Sequence, residues 1–152
     1  MSPIKYDGSG ELFISGIVSV REDSTSHLDR IITVCQDSVE DNVSDEQEYD
    51  FYCMADGPHN AYGGDSSYEM FEEAANTLYE ALESGESVLI HCHMGQSRSV
   101  SVAVAALGRL CDIPRHEAFE KVQYYRPQAH PDILLMSHAS TYIEKYTNTD
   151  PL

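Results

Sequence analysis

A cysteine and an arginine lie close enough together in this sequence to act on the same anion. Cys92 and Arg98 flank a short segment that contains Gly95, and the hydroxyl-bearing Ser99 follows the arginine. An apolar run, residues 88–90, precedes the cysteine, and a long segment of small apolar residues follows the arginine. This order predicts a buried strand, a tight loop and a helix.

A loop of this kind is suited to bind phosphate. It can direct several backbone N–H groups at one point, with the positive end of the helix dipole behind them. The guanidinium of Arg98 can donate two parallel hydrogen bonds to two phosphate oxygens. The thiol of Cys92 lies at the start of the same loop, where the same field favours the thiolate. We therefore expect a thiolate positioned for in-line attack on phosphorus.

Residues 91–99 resemble the signature loop of the cysteine-dependent protein phosphatases, and they resemble the small dual-specificity branch most. The cysteine, the glycine and the arginine match that loop in type and spacing, and the resemblance covers about 12–146. It implies that Cys92 is the catalytic nucleophile and that Arg98 binds phosphate together with the loop amides. The phosphate-binding residues predicted on this basis are His93, Met94, Gly95, Gln96, Ser97 and Arg98.

Two further residues of the loop have predicted supporting roles. On a strand the side chain of His91 points away from that of Cys92, so we expect it to support the loop from behind or to be a satisfied core histidine. Ser99 is expected to act in catalysis by hydrogen-bonding the cysteine sulfur and helping it to leave. A metal site at His91 and His93 is not expected, because no carboxylate or further thiol lies at ligand spacing.

Expulsion of an alkoxide or phenolate also needs a proton donor, which a carboxyl group on a neighbouring loop can supply. Asp56 is the predicted general acid, because it follows a predicted buried strand and lies in a turn with Gly57 and Pro58. The dual-specificity family places its general acid in this kind of loop. Asp65 is the second candidate, and the alternative role for Asp56 is that of a turn residue that caps its own backbone.

The predicted reaction has two steps and requires no metal or organic cofactor. Cys92 attacks phosphorus while Asp56 protonates the leaving group, and Arg98 holds the resulting phosphocysteine. The carboxylate of Asp56 then draws a proton from the water that hydrolyses this intermediate. The expected substrates are phosphorylated proteins, carrying phosphotyrosine and also phosphoserine or phosphothreonine, with neutral or basic flanking sequence.

Three other functions use related chemistry and stay open on the sequence alone. The first is a phosphatase of small phosphorylated metabolites, and the second is a non-catalytic module that captures phosphorylated partners. The intact pair of Cys92 and Arg98 counts against the second. The third is a sulfur-transfer or arsenate-reducing enzyme, which Asp56 and the Arg98-Ser99 pair disfavour.

The acidic excess of the chain restricts its partners and its environment. It has 26 acidic and 9 basic residues among 152, a formal net charge of −17, and the acids are spread along the whole chain. There is no basic stripe, so nucleic acid is not an expected partner. Self-repulsion of this size is screened in salt, where the Debye length is about 3 Å at 1 M. The composition therefore indicates a halophilic protein, and a haloarchaeal source is expected.

The length and the cysteines indicate one intracellular domain. The expected division is a flexible lead-in over 1–10, a catalytic domain over 11–147 and a tail over 148–152. No apolar run approaches the roughly 18 residues of a membrane span, and the first residues lack a signal-like apolar core. We expect a cytoplasmic monomer with reduced thiols and no membrane partner. A reversible disulfide between Cys92 and Cys53, or another thiol, is a further hypothesis.

The predicted fold is a single α/β domain with a mostly parallel central sheet of four to five strands, flanked by helices. The apolar pattern predicts strands at 31–35, 49–54 and 88–92. Residues 11–14 and 17–20 are predicted to form one strand, or two short strands broken near Gly16. The same pattern predicts helices that begin after Ser66 or Ser67, at Ser97, at Pro114 and at Pro131, and a short helix within 23–30.

Overall fold

The computed structural model describes residues 2–58 and 63–147, and it contains one four-stranded sheet in which every strand is parallel to its neighbours. The spatial order is first, fourth, second, third, so the last strand in the sequence lies between the first two. The strands are β1 (Glu11–Ser15), β2 (Arg30–Thr33), β3 (Glu48–Phe51) and β4 (Ser87–His91).

Five helices cover this sheet, together with a short 3₁₀ turn at Glu40–Asn42. Four of them belong to the main core on one face of the sheet, while the first packs on the opposite face with a smaller apolar cluster. The helices are α1 (Ile17–Glu22), α2 (Tyr68–Glu83), α3 (Arg98–Cys111), α4 (Arg115–Tyr125) and α5 (Ile133–Tyr146).

The side chains of the last residues of β4 lie on alternate faces of the sheet. Successive side chains of a strand point to opposite faces. Val88, Ile90 and Cys92 accordingly belong to the main core, whereas Leu89 belongs to the smaller cluster behind the sheet. His91 therefore faces away from Cys92, as the sequence predicts.

Helix α3 occupies the centre of the main core because its side chains are small. All residues from Val100 to Gly108 are buried, and the helix packs against α2, α4 and α5. A Cβ atom at Gly108 would overlap the side chain of Ile143 on α5, so a glycine permits this close approach. The close packing fixes the start of α3 beneath the end of β4.

The fold predicted from the sequence is confirmed in its class and in the four main helices. Two local predictions are wrong. Residues 17–20 form helix α1 instead of a strand, with Ile17 and Val20 buried and Val18 61% exposed. Residues 23–29 form turns instead of a short helix, because the side-chain amide of Gln47 donates to the carbonyls of Thr25 and Leu28 and holds the segment in place.

The proposed division into lead-in, domain and tail stays a prediction, and the tail at 148–152 lies outside the described residues. Ile4 forms a bridge to Leu12, so part of the predicted lead-in pairs with β1. Among the described helices, none combines the length and the apolar character needed to cross a bilayer.

Candidate active site

The loop from Cys92 to Ser97 lies at the carboxyl end of β4, between the ends of its neighbours β1 and β2. Ligand sites of parallel α/β sheets form at this edge, where the strands end and the helices begin. The register pairs His91 with Ser15 on one side and with Thr33 on the other. The sequence-predicted loop is therefore enclosed by the segments that follow β1 and β2.

The carbonyl groups of the loop are bound by donors outside it. The N–H of Ile17 donates to His93 O at 3.0 Å, and the N–H of His130 donates to Gln96 O at 2.7 Å. The guanidinium of Arg126 donates to Gly95 O, and to Met94 O at 3.3 Å. Because C=O and N–H of a peptide unit point in opposite directions, the loop amides are turned towards the interior of the loop.

Gly95 is the residue that the tight turn of the loop requires. Its φ of +68° lies in the left-handed region that glycine adopts without strain. A Cβ atom there would lie 2.6 Å from the carbonyl carbon of Ser15, so a side chain would force the loop away from β1. Gly16 has a matching role, because a Cβ atom there would lie 2.8 Å from His93 O.

Cys92 is buried and has a pKa below the ordinary value of a thiol. Burial by itself raises the pKa, but hydrogen bonds from the Ser99 side chain and backbone, the charge of Arg98 and the Gly95 backbone together outweigh it. The hydroxyl of Ser99 lies 3.2 Å from Sγ. The predicted contact between Ser99 and the cysteine sulfur is therefore present, and the loop favours a thiolate.

Arg98 begins α3 with a guanidinium that is only partly hydrogen-bonded. The residue is 9% exposed, and its Nη1 donates to Gln36 Oε1 at 2.6 Å and to Met54 O at 3.1 Å. Its Nε is buried without a hydrogen-bond partner. An unpaired buried donor on a cation is unfavourable, so this arrangement leaves a position that an anion would fill.

Asp56 is connected directly to the loop. The hydroxyl of Ser97 donates to its Oδ1 at 2.6 Å and accepts from the backbone N–H of Asp132 at 2.8 Å. Asp132 in turn caps α5, with Oδ2 accepting from the N–H groups of Leu134 and Leu135. Asp56 is exposed, so its carboxyl group is in contact with solvent.

Asp65, the second acid candidate, is engaged elsewhere. Its Oδ1 accepts from the backbone N–H of Ser67 at 2.7 Å, and this contact holds the pKa of the carboxyl group below its ordinary value. Its backbone bridges to Met54. A carboxyl group with a lowered pKa carries a proton less often near neutral pH, so Asp65 is less suited to act as a general acid.

His91 belongs to a buried chain of hydrogen bonds behind the loop. Its Nε2 lies 2.6 Å from Thr33 Oγ1, which lies 2.8 Å from the hydroxyl of Tyr49, and its Nδ1 lies 3.1 Å from the carbonyl oxygen of Cys92. Burial lowers the pKa of His91 to about 4. The ring is thus neutral near pH 7 and orients the residue that carries the thiol.

The remaining predicted residues lie around the loop in different ways. The side chains of His93 and Met94 are exposed, and Gln96 is half-buried. Cys53 is half-buried, whereas the buried Cys35 lies near enough to Cys92 for a thiolate there to raise its pKa, in addition to the larger effect of burial. No cluster of potential metal ligands occurs among the residues that the structure describes.

Two contacts of this site were not predicted from the sequence. Gln36 binds Arg98 through a side chain located 62 residues earlier, and Ser97 binds Asp56 across 41 residues. The one available signal was position, since Gln36 follows a predicted strand next to β4 and carboxyl ends of parallel strands lie at the same edge.

A central parallel strand that ends in a cysteine loop, with an arginine opening the helix behind it, defines the class of cysteine-dependent phosphatases. Within this class, the chain belongs to the family of dual specificity phosphatase catalytic domains, whose sequence profile matches residues 18–145.

Individual relatives and solved structures are consistent with this assignment. Dual specificity protein phosphatase 1B of Arabidopsis thaliana is 40% identical over 62 residues, 41% of this chain and 37% of the relative. Dual specificity protein phosphatase PHS1 of the same plant is 30% identical over 128 residues, 80% of this chain and 13% of the relative. The chain thus spans well under half the length of these two curated relatives.

The structure of human DUSP28 superposes with a TM-score of 0.73 at 20% identity, covering 88% of this chain and 92% of that one. DUSP15 gives a TM-score of 0.74 at 18% identity, covering 91% of this chain and 86% of that one. At these identities the two structures establish a shared fold.

Proposed function

We propose that the protein is an active protein phosphatase that hydrolyses phosphotyrosine and also phosphoserine or phosphothreonine through a phosphocysteine intermediate. The observation that carries this proposal is the buried, unpartnered Nε of Arg98 at the end of the loop that begins with the thiol of Cys92, whose pKa is lowered. A phosphate in the loop would accept from that Nε and from the loop amides, and its phosphorus would face Sγ. Membership of the dual specificity phosphatase family supports the same reaction.

The residues around the loop have distinct roles in this reaction. Cys92 attacks phosphorus, and the bond to the leaving oxygen breaks as Asp56 delivers its proton to that oxygen. Arg98 and the amides stabilise the charge of the transferring group. Asp56 then takes a proton from the water that attacks the phosphocysteine, and Ser99 donates to the departing sulfur. His91 holds the loop from behind, and the residues themselves supply every proton transfer.

The test compares a phosphotyrosine peptide with a phosphoserine peptide in molar KCl without added metal, using wild type, Cys92→Ser and Asp56→Asn. We expect turnover by wild type, no turnover by Cys92→Ser and a fall of about 10²–10³-fold in kcat for Asp56→Asn. Arg115→Ala, at a half-buried arginine that begins α4, is the control variant and should retain turnover. Binding of phosphopeptides without any turnover would replace this proposal with that of a capture module, and turnover of only small phosphate esters would replace it with that of a metabolite phosphatase.

We also infer that the protein belongs to a halophile, with a haloarchaeal source. The support is the formal net charge of −17, which molar salt would screen. The expected result is a melting temperature that rises steadily between 0.1 and 2 M KCl. A melting temperature that does not depend on salt would contradict this inference.

A cytoplasmic monomer is the state that we propose for the protein. All four cysteines are free thiols, as in reducing compartments. The exposed large apolar side chains of the described residues come from five different segments of the chain. They are Val18, Phe51, Met94, Tyr124 and Ile133. Light scattering should give a mass near 17.0 kDa, and a dimer mass would contradict this state.

A further inference from the structure

Gln36 is the polar side chain that contacts Arg98 from outside the loop. It follows β2, whose register places Thr33 beside His91, and the N–H of Val34 continues this pairing by donating to His91 O at 3.0 Å. Gln36 therefore lies at the same carboxyl edge of the sheet as the loop, and its side chain is half-buried.

The two ends of this amide are fixed by their partners. Gln36 Oε1 accepts from Arg98 Nη1 at 2.6 Å, and Nε2 donates to Gly63 O at 2.8 Å. A guanidinium can only donate and a carbonyl can only accept, so a single orientation of the amide satisfies both contacts. Gly63 lies two residues before Asp65, whose backbone bridges to Met54, and the amide therefore connects the arginine with this segment.

The contact also determines how the guanidinium is presented. Nη1 is held by Gln36 and by Met54 O on one side, while Nε stays buried without a partner. Because the guanidinium is planar and rigid, fixing one nitrogen at two acceptors also fixes the direction of the others. The unpaired donor is thereby held in place before any anion arrives.

The side-chain amide of Gln36 is neutral, and this matters for the charge of Arg98. A carboxylate at this position would form an ion pair with Arg98 and cancel much of its charge, in the manner of Arg30, which pairs with Asp50 and Glu86. The charge of Arg98 contributes to the low pKa of Cys92. A neutral acceptor orients the guanidinium and leaves this charge available to the anion and the thiol.

We propose that Gln36 is a positioning residue that holds the guanidinium of Arg98 towards the bound phosphate without neutralising it. This inference rests on the proposed phosphatase function and extends it to a residue outside the signature loop. Gln36 acts through Arg98 and does not touch the substrate.

Two variants separate orientation from charge. Gln36→Ala removes the acceptor and adds no charge, whereas Gln36→Glu keeps an acceptor of the same size and adds a negative charge next to Arg98. Gln128→Glu is the matched control, because it makes the same chemical change at an exposed glutamine in the connection between α4 and α5.

The first measurement is the rate at which iodoacetamide alkylates Cys92 across pH, followed by mass spectrometry of the peptide that contains this cysteine. Gln36→Glu should shift the midpoint of the alkylation profile to higher pH, because the added carboxylate neutralises the nearby cation. At pH values below the midpoints of both proteins, its alkylation rate should be about tenfold lower than that of wild type. Gln36→Ala should shift the midpoint much less, and Gln128→Glu should match wild type.

The second measurement is the affinity for inorganic tungstate, obtained from the protection of Cys92 against alkylation. We expect affinity to fall about tenfold in Gln36→Ala, where the guanidinium loses its orientation, and further in Gln36→Glu, where its charge is also paired. A role limited to packing would lower stability in both variants without this order. Thermal melts of every variant establish that the comparison is made on folded protein.

The two measurements test the role of Gln36 separately from the proposed phosphatase function, because neither measurement requires turnover. Wild type that fails to hydrolyse any phosphopeptide would remove the phosphatase proposal and leave the Gln36 results intact. The role of Gln36 alone would be overturned by a different result. In that case wild type turns over phosphopeptide, while Gln36→Glu keeps the alkylation midpoint of wild type and a tungstate affinity within twofold of it. If Gln36→Glu does not fold, an unchanged tungstate affinity in Gln36→Ala overturns it equally.

Discussion

Helix α3 carries an arginine near each end, and the two side chains are bound in opposite ways. At the start of the helix, Arg98 is 9% exposed, keeps an unpartnered Nε and is held by the neutral Gln36 and a carbonyl oxygen. In the last turn, Arg109 lies between two tyrosine rings, with Cζ 3.7 Å from the centroid of Tyr79 and 4.1 Å from that of Tyr146.

The far end also provides Arg109 with hydrogen-bond acceptors. Its Nη1 donates to Asn76 Oδ1 at 3.1 Å and to the hydroxyl of Tyr142 at 3.0 Å, and that hydroxyl donates to the same Asn76 oxygen at 2.7 Å. Burial raises the pKa of Tyr142 to about 12, so the phenol remains a donor across the physiological range. This cluster ties α2 and α5 to α3.

The difference shows how one residue type serves two purposes on one helix. Arg109 is surrounded by the chain's own acceptors and aromatic faces, so its contribution is to stability. Arg98 is constrained in direction but incompletely paired, so its remaining donors are available to a ligand. Buried and unsatisfied donors therefore identify the functional end of this helix better than charge does.

The largest effect should come from exchanging lysine for each arginine in turn. Arg98→Lys should lower kcat/KM for a phosphotyrosine peptide by about 10²–10³-fold, because an ammonium cannot donate in parallel to two oxygens, with little change in melting temperature. Arg109→Lys should lower the melting temperature and leave kcat/KM within about twofold of wild type. Equal losses of activity in both variants would contradict this division of roles.

The buried histidine at the functional end should make stability depend on pH. Because burial lowers its pKa from 6.5 to about 4, the unfolded chain binds a proton at His91 in this interval and the native chain does not. The free energy of unfolding therefore falls as the pH falls, by about 3 kcal/mol in full. Urea titrations should show a slope between pH 6.5 and 4 that is smaller in His91→Gln and unchanged in Arg109→Lys. Parallel curves for wild type and His91→Gln would refute this assignment.

Removal of the stacked Arg109 should measure how much its cluster contributes to the stability of the fold. Arg109→Ala loses the contacts with two rings and leaves Asn76 Oδ1 without one of its donors, so we expect the free energy of unfolding to fall by about 2 kcal/mol. Arg115→Ala is the control, because the hydrogen bond that its side chain donates to Met136 O is long, at 3.4 Å. A loss in Arg109→Ala no larger than that of Arg115→Ala would show that the cluster contributes little.

The smallest effect should come from the hydroxyl that connects the loop with the acid. Ser97→Ala removes the donor that holds Asp56 at 2.6 Å, so we expect kcat for a phosphoserine peptide to fall about tenfold. An aryl phosphate with a good leaving group needs less protonation and should lose less. An equal loss with both substrates would indicate that Ser97 shapes the loop instead of positioning the acid.

The elements that carry the loop were predictable because their signals are local. The apolar run before Cys92, the small residues after Arg98 and the serine before α2 each specify an element within a few residues. Helix α1 was not predictable from local signals, because its β-branched residues favour a strand. In the structure, the backbone N–H of Ile17 donates to the carbonyl oxygen of His93 in the loop. That contact is tertiary, and it outweighs the local preference.

In the candidate site, too, local signals were predictable and tertiary contacts were not. The cysteine, the arginine and the loop glycine follow from one continuous segment. The contact of Gln36 with Arg98 and that of Ser97 with Asp56 join positions 62 and 41 residues apart, and no pattern in a single sequence records such pairs. The preference for Asp56 over Asp65 was already drawn from the sequence, and the structure adds that Asp65 is engaged with the N–H of Ser67.

The strand order has a consequence for how the molecule is made. In the sheet, β1 pairs with β4 and not with β2, so the two earliest strands are joined only when β4 is inserted between them. During synthesis the first half of the chain can pair β2 with β3, but β1 must wait for residues 87–91. Such non-local pairing is slow, because the intervening chain must be closed first. The step that completes the sheet is also the step that delivers Cys92, so assembly of the fold and assembly of the anion loop coincide in time.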